Sequence, residues 1–238
     1  MTDTPMAVRE RPILCRADTV RGFLANRDVL LVRLVDGDKW NLTAARCCLS
    51  EPAHPVWRLM RSECPYGQPG DRLWVRETWR LSPEACEGWS TTGPCTGWVD
   101  YRANVAITSD EGSALVTAPS FGAIERITTG HDPEWDWDFM PDTWRPSIHM
   151  PRWACRLRRE VLHTWVDGVQ SITEAEAAAE FPHELGHEYD GQKYPTARAA
   201  FAAMWDGYTK RYDKPEAPTS FASNPLAWFI RTVPVDAA

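Results

Sequence analysis

Four side chains within SIHMPRW (147–153) could act together on a planar, charged ligand: Ser147, His149, Arg152 and Trp153. Hydroxyl, imidazole, guanidinium and indole are the groups that hydrogen-bond a base edge, clamp a phosphate and stack on a ring. The competing reading is a buried structural loop whose His149 is satisfied by backbone. A second pair, Arg76 and Glu77, stands near the end of a predicted strand, either as an ion pair of small energetic weight or as an orienting pair for a ligand. A third motif, HELGH (183–187), has the spacing of a zinc-protease helix, in which two His one turn apart bind the metal. Pro182 before it, Gly186 inside it and the loop-like EYDGQKYP after it oppose that helix, and Asp190 and Lys193 stand where the extended motif has its Gly and third His. It reads as a surface loop, so no metal is expected.

The elements that must position these groups follow from periodicity. In GDRLWVRETW (70–79) a Gly70-Asp71 turn opens a strand, with Leu73, Val75, Glu77 and Trp79 pointing one way and Arg72, Trp74, Arg76 and Thr78 the other. Further strands are predicted at 11–15, 29–35 (with Arg33 embedded), 98–103, 153–166 and 226–233. A first helix is expected through Ala25, capped by Asp18 or Thr19, with Val20, Phe23 and Leu24 inward. Thr173 and Glu176 form a T-x-x-E capping box opening a helix over 171–181. Phe201, Met204, Trp205 and Tyr208 fall at i, i+3, i+4 and i+7, the core stripe of a helix over 196–208. Residues 104–142 read as a loop excursion with at most one strand near 121–128. Short strands with two or three helices make an α+β fold.

Composition narrows the function. A net charge of −7 argues against coating long stretches of nucleic acid, which needs dense positive surface. Yet five Arg stand against one Glu between Arg145 and Glu160, and the chain holds 13 Trp, more than a core of this size needs. A local basic, aromatic segment in an acidic chain fits recognition of a particular nucleotide. Arg outnumbers Lys heavily, which suits planar bidentate recognition, although a GC-rich genome gives the same bias. Seven Cys without a CxxC pair match neither a disulfide framework nor a zinc ribbon. With no signal peptide and no long apolar run, a soluble cytoplasmic protein without membrane contact is expected.

CPYGQPGDRLWVRETW (64–79), RPSIHMPRWA (145–154) and NPLAWFIRTV (224–233) together resemble the ASCH-domain proteins common in prophages, relatives of the PUA-like nucleic-acid-binding barrels. The resemblance implies an α+β, PUA-like β-barrel with two or three flanking helices. It would form one domain over 11–235 after a loose tail, with insertions near 38–63, 82–97, 104–142 and 182–195. It implies a cleft that accepts a nucleotide or nucleoside, and the residues themselves point to a non-catalytic module for RNA or a modified base, without cofactor, its cleft lined by Arg33, Arg76, Glu77, Ser147, His149, Arg152 and Trp153. One similar branch deacetylates N4-acetylcytidine with a Lys-Thr-Glu set. Here Asp28 stands at the Lys position and Leu31 at the Thr position, while Glu180 matches the Glu. Asp cannot replace Lys in polarising a carbonyl, and Leu31 has no hydroxyl to offer. Asp28 and Glu180 would then be either a carboxylate pair for acid–base work or solvated charges. The alternatives are thus a nucleoside amidohydrolase or ribonuclease, or a phage accessory protein acting through a protein partner.

Overall fold

The computed structural model describes residues 8–25, 27–36, 60, 62–81, 95–103, 113–118, 144–179, 187–213 and 218–235. The elements are β1 (Glu10–Leu14), α1 (Ala17–Leu24), β2 (Leu31–Leu34), β3 (Arg72–Arg76), β4 (Trp79–Leu81), β5 (Cys95–Tyr101), β6 (Ser113–Ala118), β7 (Arg158–Gly168), α2 (Glu174–Ala179), β8 (Glu188–Tyr189), β9 (Gln192–Lys193), α3 (Ala197–Thr209) and β10 (Leu226–Pro234). The fold is α+β. The described strands form a five-stranded sheet in the order β1-β3-β7-β10-β2, a three-stranded sheet β4-β5-β6 and a small hairpin β8-β9. Among the described residues no helix is long and apolar enough to cross a membrane.

The chain divides into two compact units: residues 1–11, 22–73 and 159–238, and residues 12–21 and 74–158. In the first, β10 pairs antiparallel with both β2 and β7. One face of this sheet is covered by α2 and α3, burying Leu30, Val32, Ala177, Phe201, Met204, Trp205 and Phe229 in one cluster. Trp165 stacks on Phe229 at 5.3 Å, and the Trp205 indole donates to the Thr219 carbonyl at 2.8 Å. That bond satisfies the polar end of a ring otherwise sunk in hydrocarbon. The capping box forms as read: the Thr173 N–H donates to Glu176 Oε2, and the Glu176 N–H donates to Thr173 Oγ1.

In the second unit, β4 and β5 pair so that Trp79 faces Tyr101 and Arg80 faces Asp100. Trp79 and Arg145 exchange backbone hydrogen bonds at 3.2 and 2.8 Å, bringing the 144–157 segment to the β4 edge. Its path then bends twice, in 3₁₀ turns at Ser147–His149 and Arg152–Ala154, each preceded by a proline that presets φ.

Several expectations are corrected. The predicted strand over 153–166 begins only at Arg158, because Pro151 and its 3₁₀ turn occupy the start. The predicted 70–79 strand is divided at residues 77–78, although its alternation of burial runs unbroken from Asp71 to Leu81. A strand stands at Ser113–Ala118, inside a segment read as loop. Helix α1 begins at Ala17, so Asp18 lies in its first turn and pairs with Arg16 and Arg21 instead of capping. Tyr208 and Leu24 are 42% exposed and leave the core stripes assigned to them. Glu180, residues 121–128 and His183–Gly186 lie outside the described residues, as does most of 104–142.

Candidate functional site

The two pleat faces of β3 and β4 do different work. On the inner face Leu73, Val75, Glu77, Trp79 and Leu81 are buried, and of these only Glu77 is charged. Its carboxylate takes two hydrogen bonds from Arg156, Nε to Oε1 and Nη2 to Oε2, both at 2.9 Å. The Arg156 guanidinium lies 4.0 Å from the centre of the Tyr101 ring, and the Tyr101 hydroxyl donates to the Ala154 carbonyl at 2.7 Å. Fork-to-fork pairing with an aromatic floor is the geometry in which Arg best compensates a buried carboxylate. Burial nevertheless pushes the Glu77 carboxyl up, more than Arg156 draws it down. Burial likewise raises the Tyr101 hydroxyl, with the Glu77 charge adding to it. The Glu77 N–H donates to Met150 Sδ at 3.2 Å. Ion pair, hydroxyl and sulfur contact together hold residues 150–156 against the sheet.

On the outer face Trp74, Arg76, Thr78 and Arg80 are half-exposed. The Arg76 guanidinium sits 5.3 Å from the Trp74 ring centre, and Arg152 reaches the same ring at 5.9 Å. Arg76 also donates to the Ile148 carbonyl, and burial lowers its pKa. A second ring repeats the arrangement: Trp144 carries Arg80 at 4.7 Å and Arg102 at 5.6 Å. Arg80 is held in place by its cross-strand neighbour Asp100, Nε to Oδ2 at 2.8 Å. All four contacts fall within the range where a cation and a ring attract.

The structure therefore brings together Arg76 and Arg152 among the sequence candidates, and it adds Trp74. Arg76 and Glu77 are not each other's partners: opposite pleat directions send one to Trp74 and the other to Arg156. Ser147 is half-buried and His149 exposed, so the reading of this loop as buried structure does not hold for them. Trp153 meets the buried Trp79 edge-on, centroids 5.9 Å apart at 85°, and serves as an anchor of the loop more than as a platform. Arg33 belongs to the first unit, where it donates to its neighbour's carbonyl on Val32 and its charge draws the Tyr66 hydroxyl down against burial. The sequence reading missed Trp144, Arg80 and Arg102. For Arg80 the signal was present, since it continues the 74, 76, 78 alternation by one step.

A separate groove of about 450 Å³ lies in the first unit, lined by Arg27, Asp28, Glu176, Arg231 and alanines of α2. Arg231 bridges its two carboxylates, at 3.2 Å from Glu176 and 3.9 Å from Asp28. Glu176 is also tied to Thr173, while Asp28 is largely exposed. Among the described residues, the side chains lining the groove include no hydroxyl, thiol or imidazole. Among the described residues no three His, Cys, Asp or Glu gather as metal ligands would.

Compared with protein families, curated proteins and solved structures, the chain matches none.

Proposed function

We propose that the chain is a binding module for nucleic acid, RNA or a modified base, and that the Arg–Trp face of the second unit is its contact surface. The observation that carries this reading is the pairing of Trp74 with Arg76 and Arg152, repeated by Trp144 with Arg80 and Arg102. Indole faces supply sequence-tolerant stacking for bases, and guanidinium groups beside them supply phosphate contacts. The acidic remainder of the chain confines binding to this face, because a polyanion is repelled elsewhere. The finer reading of the fold as a PUA-like, ASCH-type barrel of prophage origin belongs to the same proposal. It rests on the 64–79, 145–154 and 224–233 segments.

The test is a fluorescence-anisotropy titration of the full chain with labelled single-stranded RNA and DNA at low salt. Binding is expected, and a Trp74→Ala/Arg152→Ala variant should weaken it at least about tenfold, given roughly 1–3 kcal/mol per stacked base. Absence of binding at low salt, or equal binding by the folded variant, overturns the reading.

One alternative is hydrolysis of an acylated nucleoside at the groove that Asp28 lines, with Glu180, which lies outside the described residues, as the second carboxylate. Turnover of an N4-acylated cytidine that disappears in Asp28→Asn would establish it, and no product would remove it.

A further inference from the structure

We propose that the ligand of the Arg–Trp face is a single strand engaged at two stacking platforms. The inference rests on the reading of this face given above and specifies its substrate. Trp74 and Trp144 are each flanked by two guanidiniums, and these come from different residues: Arg76 and Arg152 for the first, Arg80 and Arg102 for the second. The two rings thus share no guanidinium. Their spacing follows from the strand. Arg76 and Arg80 stand four residues apart on one pleat face, and fully extended chain advances about 3.3 Å per residue, so across the break at residues 77–78 they stand at most roughly 13 Å apart. At the duplex rise of about 3.4 Å per nucleotide, a stacked strand covers that distance in no more than about four nucleotides.

A mononucleotide can occupy one platform only. A longer strand occupies both, and its second contact is intramolecular, so affinity rises with length through effective concentration. Duplex is a poor ligand, because its bases already stack on one another and offer no free faces. Each platform is fixed by the protein before any ligand arrives. Arg80 is braced by Asp100 and Arg76 by the Ile148 carbonyl, so little side-chain entropy remains to be lost on binding.

The experiment is a length series of labelled oligouridylates, from one to eight nucleotides, with a blunt RNA duplex of eight base pairs as comparison. Affinity is expected to climb steeply between about two and five nucleotides and to level off beyond. Trp74→Ala and Trp144→Ala should each cut octamer affinity about 5- to 150-fold, the value of one stacked base, and flatten the length dependence. Trp74→Phe, which keeps a ring, should restore most of it. Equal affinity for mononucleotide and octamer, equal affinity for duplex, or an octamer affinity insensitive to Trp144→Ala in a folded variant overturns the two-platform proposal while leaving nucleic-acid binding standing. Failure of every length to bind overturns both.

Discussion

Replacing Arg156 by Met should produce a stability loss that depends steeply on pH. Met keeps much of the side-chain volume against Tyr101 but removes the two hydrogen bonds and the positive charge that compensate Glu77. Glu77 is 1% exposed. Its carboxyl is already raised by burial, and loss of Arg156 removes the hydrogen bond and charge that draw it down, so it rises further. A carboxyl raised in the folded state contributes stability that is fully present below its unfolded value and is lost as pH climbs through the folded one. The window therefore opens near the ordinary value of 4.5 and extends upward. At about 1.4 kcal/mol for each pH unit, the interval from there to pH 7 caps the linked cost at about 3 to 4 kcal/mol. That agrees with the roughly 3–5 kcal/mol seen when one partner of a buried pair is removed. A smaller part, about 0.5–2 kcal/mol for the lost cation–ring contact, should not vary with pH. Urea unfolding of wild type, Arg156→Met, Glu77→Gln and the double variant at pH 4, 5.5 and 7 separates the two parts. The single Met variant should lose little at pH 4 and most at pH 7. Adding Glu77→Gln should restore the pH-dependent share, since no buried carboxylate is left to neutralise. An equal loss at pH 4 and pH 7, or a double variant no better than Arg156→Met at pH 7, would refute the assignment of Glu77 as the group that Arg156 compensates.

Two further outcomes test the packing. Gly168→Ala should cost about 1–3 kcal/mol in chemical denaturation, because a Cβ there would stand 2.5 Å from Asn224 Oδ1 and displace the acceptor of the Gln170 N–H. Cys64, buried and with its thiol pushed up by burial, should react with a disulfide reagent at neutral pH only as the chain unfolds, and the half-buried Cys155 should react more slowly than an exposed thiol, which peptide mapping of the labelled sites can follow.

Legibility in the sequence tracks how local each determinant is. The 72–79 alternation, the Thr173–Glu176 capping box and the Phe201-Met204-Trp205 stripe are set by residues two to four apart, and they appear as read. The partner of Glu77 lies 79 residues away, and nothing in the strand's own pattern distinguishes Arg156 from the other arginines of its segment. Trp153 and Trp74 show the same limit from the other side. Both are indoles near arginines in the sequence, yet only packing decides that Trp153 abuts Trp79 while Trp74 receives two guanidiniums.

The division of one strand into two faces also explains how an acidic chain can present a cationic surface. Period-two alternation sends Glu77 inward and Arg76 and Arg80 outward. The inward carboxylate then recruits Arg156 from the 150–156 segment, and the same segment carries Arg152 to Trp74. The buried pair is thus a fastening for the outer face as well as part of the core. A salt bridge chosen for stability alone would be replaceable by hydrocarbon of similar shape, often at no cost. One that fixes a loop is replaceable only where the substitute still holds Arg152 over Trp74. The Glu77→Gln/Arg156→Met variant separates these roles. Recovered stability with octamer affinity still reduced identifies the pair as a positioning device, whereas recovery of both identifies it as core alone.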